Sequence, residues 1–261
     1  MTVLRSSTLA DVGIDAAAIK PSEIDLDSVT ALDIETIIID YEGRKHVPDP
    51  SRLGELARAF EVRVTMPVRA DGFDPLGDRS LLDEIPPTVD PVFVAGHPAY
   101  LTDREKRRAI APRLAASVET VKDPWIGTEG IERIAMAVGG TQFDLLSTTT
   151  RRDVRALRAA GFDGDVAVYA PTVLTEVEDA VLDAVGAYAA RRTAVRQELP
   201  ANTPTDSSIA GAARETLERA CKEYALVGGP ETVSERVAGL HDVGVDYVVG
   251  YPARGLESVS G

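Results

Sequence analysis

Short apolar runs alternate with helix-patterned stretches along nearly the whole chain, and this alternation narrows the folds open to it more than any other feature. DIETIIIDYEG (33–43) ends an isoleucine-rich run in acids and a glycine, the profile of a strand buried on both faces. DPSRLGELARAF follows, with Leu53, Leu56, Ala57 and Phe60 at helical spacing and Asp49 or Ser51 to cap them. The same reading predicts strands at 34–40, 62–68, 92–96, 117–121, 143–147, 165–170 and 246–250, with an eighth at 2–5 or 224–227. Between them come a helix opened by the capping-box spacing of Thr102 and Glu105, another over 127–138, and one closed by Gly161. A mostly helical excursion fills about 173–222 and is interrupted near ELPANTPTDSS. In the last unit Pro230 takes the first helical position, Val233, Val237 and Leu240 form a stripe, and Gly244 ends the helix.

Strand–helix alternation with two-sided apolar strands is the mark of βαβ units around a parallel sheet. Eight such units in about 250 residues are the size of a (β/α)8 TIM barrel, so one barrel domain is expected over 1–261. An open doubly wound sheet is the runner-up, but the chain has no G-x-G-x-x-G turn behind a first strand.

Charge excludes some functions. The chain carries 42 acids against 28 bases, a net charge of −14, and the bases are 23 Arg and 5 Lys. No basic stripe is present to displace phosphate counterions, so nucleic acid is not expected as a ligand. An acid-rich, lysine-poor surface suits concentrated salt, which screens self-repulsion over about 3 Å at 1 M, and a halophilic archaeal source is the expectation. No apolar run approaches the roughly 18–20 residues of a membrane span, and the N-terminus lacks the shape of a secretory signal. Cytoplasmic residence is therefore expected, with no membrane partner. The single cysteine, Cys221, lies in a helical run as a packing residue.

Barrel enzymes carry their reacting groups at the C-terminal ends of the strands. That rule selects Asp40 and Glu42 as an acidic pair, His97 in AGHPAY, Lys122 and Asp123, Ser147 and Thr148, Tyr169, and Tyr251 with Arg254. His97 suits proton transfer near neutral pH, although a histidine in a loop also serves as a local hydrogen-bonding group. Asp40 and Glu42 could equally cap loops. Gly127 permits close backbone approach, Thr128 offers a hydroxyl, and the helix expected behind them presents free N–H groups to an anion; the same pair could be a simple N-cap turn. Trp125 lines either a pocket mouth or the edge of the core. No His-x-His, H-E-x-x-H or carboxylate cluster points to a metal, and no G-x-S-x-G elbow is present.

The C-terminal unit carries a more specific pattern. Gly228, Gly229, Pro230, Glu231, Thr232, Val233, Glu235, Arg236, Gly244, Val245 and Asp246 occur in the order and spacing of the ending of the bacterial luciferase-like superfamily, which this chain resembles. GTEGIERIAMAVGGTQFDLLS (127–147) is similar to that superfamily's stretch in which a helix N-terminus lies near the cofactor phosphate. The superfamily includes flavin-dependent monooxygenases and deazaflavin-dependent reductases such as methylenetetrahydromethanopterin reductase. The match covers the C-terminal half well and the first half in outline. It departs where Gly229 replaces the usual Thr and where Gly140-Thr141-Gln142-Phe143-Asp144 replaces an Ala-Asp-Gly element.

The resemblance implies a luciferase-like barrel oxidoreductase that transfers a hydride between coenzyme F-420, a deazaflavin, or FMN and a small organic substrate. It implies a cofactor phosphate near Gly127 and Thr128 and a ring across the strand ends at Ser147, Tyr169, Gly228, Gly250 and Tyr251, with His97 or an acid such as Glu42 or Asp40 moving a proton. The expected partners are then substrate and cofactor, and homodimerisation stays open. Two alternatives remain. A barrel that has lost its cofactor could act as a binding or regulatory protein. A phosphate-handling aldolase or isomerase could use Gly228, Gly229 and Gly250 as an anion site and Lys122 for a Schiff base.

Overall fold

The computed structural model describes residues 7–127 and 136–259. Nine strands appear among them: β1 (Ala16–Ile19), β2 (Thr36–Ile39), β3 (Glu61–Pro67), β4 (Val89–Val94), β5 (Trp125–Gly127), β6 (Thr141–Leu145), β7 (Val166–Leu174), β8 (Leu226–Gly228) and β9 (Tyr247–Pro252). Eight of them close a parallel barrel in the order β1-β2-β3-β4-β5-β6-β7-β9, and β9 returns to β1 through Ala16↔Val249 and Ala17↔Gly250. The α-helices that lie wholly among the described residues are α1 (Pro50–Leu56), α2 (Asp103–Lys106), α3 (Ala111–Val118), α4 (Thr150–Ala159), α5 (Glu178–Ala190), α6 (Thr193–Glu198), α7 (Gly211–Tyr224) and α8 (Pro230–His241). The expected (β/α)8 barrel is the fold.

The ninth strand has a geometric cause. β6 pairs with β7 only from Val166 to Tyr169, whereas β7 runs on to Leu174. β8 takes over the vacated edge, pairing Thr172–Leu174 with Leu226–Gly228. The strand expected at 224–227 thus runs from Leu226 to Gly228, Tyr224 still closing α7, and it lies outside the ring. The eighth barrel strand is instead β1, in GIDAAAIK, and the segment 2–5 lies outside the described residues.

The strand expected at 117–121 is also corrected. Val118 ends α3, residues 119–123 turn, and the strand follows at Trp125–Gly127. The single helix expected after Thr102 divides in two. Thr102 and Glu105 do form a capping box for α2, and Pro112 sits in the first turn of the second piece, where a missing N–H costs nothing. Most of the helix expected over 127–138 lies outside the described residues. The final unit follows its sequence pattern: Gly229 is the N-cap, Pro230 opens α8, Val233, Val237 and Leu240 are buried, and Gly244 has φ +101°.

Two apolar clusters form. The larger one fills the barrel and the layer under its surrounding helices; the smaller joins Val173, Leu182, Val185, Leu217, Cys221 and Val227 where α5 and α7 pack beside β8. Each fully buried Val or Leu contributes roughly 1.5–3 kcal/mol. Strand registers place alternate residues inside the barrel. There, aromatic contacts run from Tyr247 to Trp125 (5.1 Å), Phe143 (5.8 Å), Tyr169 (6.2 Å) and Tyr251 (6.5 Å).

Candidate active site at the C-terminal mouth of the barrel

β1 and β2 end side by side, with Ile19 paired to Ile39 and the Asp40 N–H donating to the Ile19 carbonyl at 2.8 Å. This brings Lys20 and Asp40 together at the mouth. Asp40 receives a hydrogen bond from the Tyr169 hydroxyl at 3.3 Å. Burial pushes its carboxyl up from 3.8 to about 7; Lys20 and the Tyr169 hydrogen bond oppose the rise, and Glu42 and Glu23 add to it. A carboxyl balanced near neutrality in a barrel mouth can both give and take a proton.

The residues around Asp40 hold one another. Tyr169 and Tyr251 stack almost parallel, at 8°. The Tyr251 hydroxyl donates to Glu23, and the Lys20 ammonium lies 3.9 Å from the Tyr251 ring centre and 3.4 Å from the Glu23 carboxylate. Both tyrosine phenols are pushed up, by burial first; the Asp40 charge then adds most at Tyr169, and the Glu23 hydrogen bond at Tyr251. Glu42 is buried, and its carboxylate accepts from the Ser22 N–H at 2.9 Å, tying the loop after β2 to the loop after β1. Thr65 on β3 fixes the same turn by accepting from the Tyr41 N–H at 2.6 Å. Tyr100 faces this group across the mouth: burial raises its phenol first, then the Glu42 charge, against which Arg191 acts.

Of the residues singled out from the sequence, Asp40, Glu42, Tyr169 and Tyr251 converge here. His97 does not join them by any hydrogen bond. It is exposed, its Nδ1 accepts from the Ala99 N–H at 3.2 Å, and it caps the short turn Pro98–Tyr100. Ser147 is likewise local: its N–H donates to the Thr150 hydroxyl at 2.9 Å at the start of α4. Gly250 points away from the barrel interior, since a Cβ there would meet Ile14 at 2.9 Å and Thr172 at 3.1 Å. Its smallness serves packing outside the ring, not the mouth. Gly228 ends β8, beyond the ring, with φ +136°.

Gly127 ends β5, and a Cβ there would stand 2.6 Å from Val94, so the barrel wall itself needs glycine at this position. Thr128 lies outside the described residues. Trp125 is core, with the Arg63 guanidinium 4.5 Å above its ring. Lys122 has a side chain 94% exposed beside Asp123, the opposite of the desolvated setting that activates a Schiff-base lysine. Among the described residues no group of three or more His, Cys, Asp or Glu is placed to hold a metal ion.

Lys20 and Glu23 were not among the residues selected from sequence, because their strand was not recognised. The available signal was the apolar run AAAI ending in Lys20-Pro21.

Comparison with known proteins agrees with this architecture. An F-420-dependent secondary alcohol dehydrogenase, solved in complex with an F-420–acetone adduct, superimposes with a TM-score of 0.58 at 11% identity, covering 95% of this chain and 94% of its own. The monooxygenase RslO1 from Streptomyces bottropensis gives 0.50 at 18% identity, covering 92% of each chain. At these identities the likeness is one of fold, the (β/α)8 barrel. No curated protein matches the chain by sequence. A family model matches residues 9–259, nearly the whole length, and the chain therefore belongs to DUF7388, a family of unknown function.

Proposed function

We propose that the chain is a luciferase-like oxidoreductase that transfers a hydride between a deazaflavin of the F-420 type, or FMN, and a small organic substrate at the barrel mouth. The observation that carries this reading is Asp40, an interior carboxyl at a strand end, raised to about 7 and held by Tyr169. The donor set suits such a cofactor: a proton carrier matched to neutral pH, flanked by the aromatic side chains of Tyr169 and Tyr251. When bound, the cofactor supplies the hydride donor or acceptor. Asp40 accepts the proton that leaves the substrate oxygen in oxidation and returns it in reduction. Tyr169 orients the carboxyl by donating to Oδ2. Glu42, locked to the Ser22 backbone, is placed to hold the loop wall beside Asp40. That one solved barrel with this fold carries an F-420–acetone adduct supports the choice of cofactor and a carbonyl–alcohol pair as substrate.

A phosphate site at Gly228 and Gly229 is disfavoured, because the Glu176 carboxylate stands 3.1 Å from a Cβ position on Gly229. An anion there would meet like charge.

The test is titration of the purified protein with F-420 and, separately, with FMN, followed by cofactor fluorescence. Saturation with one of them is expected. Asp40→Asn should keep that binding while turnover of small alcohols and ketones falls about 10²–10⁴-fold. If neither cofactor binds, the oxidoreductase reading fails and a cofactor-free binding barrel takes its place.

A further inference from the structure

The contacts around Asp40 close on themselves. Lys20 leaves β1 next to Asp40, which leaves β2, and its ammonium is fixed by the Tyr251 ring at 3.9 Å and by Glu23 at 3.4 Å. Glu23 also takes the Tyr251 hydroxyl, Tyr251 stacks on Tyr169, and Tyr169 donates back to Asp40. Such a closed set removes the rotamer freedom that a lysine ordinarily keeps. The ammonium is anchored on two sides by protein groups, and its side chain is only 22% exposed.

We propose that Lys20 is a positioning residue: clamped by Tyr251 and Glu23, it fixes a positive charge beside Asp40 and so determines the pH at which Asp40 gives up its proton. The inference rests on the reading above only in making Asp40 the proton carrier. Among the described residues, the charged and titratable groups that face Asp40 are Lys20 and Glu23 from the loop after β1, Glu42 after β2, Tyr100 after β4, Tyr169 from β7 and Tyr251 from β9. Lys20 is the one cation among them. Removing it leaves burial and two carboxylates acting in the same direction, so the protonated form of Asp40 must gain. Removing Glu23 takes away one of those carboxylates but also frees the Lys20 ammonium, and these two changes oppose each other at Asp40.

The experiment follows the Asp40 carboxyl by NMR in cofactor-free protein labelled with ¹³C at the aspartate side-chain carboxyl, with the resonance assigned by its disappearance in Asp40→Asn. Lys20→Met should raise the midpoint by about one unit or more, and Lys20→Arg should restore it to near the wild-type value. A midpoint unmoved in Lys20→Met, or moved as far by Lys20→Arg, overturns the proposal. Should Lys20→Met not fold, Lys20→Gln decides: a raised midpoint supports the proposal, and an unmoved or lowered one overturns it. Because no cofactor is present, these shifts can appear while F-420 and FMN both fail to bind, which would refute the oxidoreductase reading and leave this one standing.

Discussion

Asp40 couples the chemistry of the mouth to the stability of the fold. Its carboxyl holds a proton up to about 7 when folded and up to 3.8 in its ordinary state. Between those values the folded chain binds the extra proton, so this group's contribution to stability is full below the lower value and is lost as pH rises through the upper one. Asp40→Asn cannot ionise and escapes that loss. Urea unfolding at about pH 5 and about pH 8 should show wild type losing more stability than Asp40→Asn across the interval, by on the order of a few kcal/mol. Equal losses would mean that Asp40 does not ionise late. Asp40, Glu42, Tyr169 and Tyr251 were legible in the sequence because each closes or occupies a recognisable apolar strand, and strand ends define a barrel's mouth. His97 satisfied the same rule. What separates it from Asp40 is its exposure and its bond to the Ala99 backbone, and both follow from the path of a loop.

At the level of elements, the rim is braced on the side of β3 and β4. Asp74 is 1% exposed and meets Arg113 at 2.9 Å and Arg108 at 3.3 Å, while Arg108 also holds Asp71 at 2.5 Å and the Arg69 carbonyl at 2.6 Å. The loop after β3 is thereby fastened to α3 and to the turn before it. Asp74→Ala leaves two largely buried guanidiniums without this partner and should cost about 3–5 kcal/mol, lowering Tm by roughly 10 °C. Arg79→Ala, which breaks the exposed pair with Asp83, should change stability by less than about 1 kcal/mol. Thermal melts of both check the contrast, and similar losses would contradict it. The elements that sequence reading misplaced share a physical reason. β1 is Ala-Ala-Ala-Ile, poor in the β-branched and aromatic residues that mark strands. Small residues suit it because the barrel interior beyond is filled by Trp125, Phe143 and Tyr169. SVETV (117–121) has the opposite defect: its valines look strand-like, but Val118 completes the packed face of α3.

For the whole molecule, the net charge of −14 predicts a response to salt. Self-repulsion favours the unfolded chain, and raising KCl from about 0.05 M to about 1 M shortens the screening length to about 3 Å. Tm should rise over that range and do so less steeply in a variant with several exposed acids replaced by glutamine. A flat or falling Tm would remove the link between surface charge and concentrated salt. Among the described residues, no helix is long and apolar enough to cross a membrane.

By itself the sequence determined the class of fold, since apolar strands alternating with amphipathic helices can bury both strand faces only in a parallel sheet wrapped by helices. It determined the last βαβ unit down to its Gly229-Pro230 cap, because capping and periodicity are local. Closure of the ring through Ala16–Val249, the transfer of β7's edge from β6 to β8, and the meeting of Lys20, Asp40, Tyr169 and Tyr251 were decided by tertiary structure. These contacts join residues far apart in the chain, and their energies depend on burial and on neighbouring charge, which exist only once the barrel has closed.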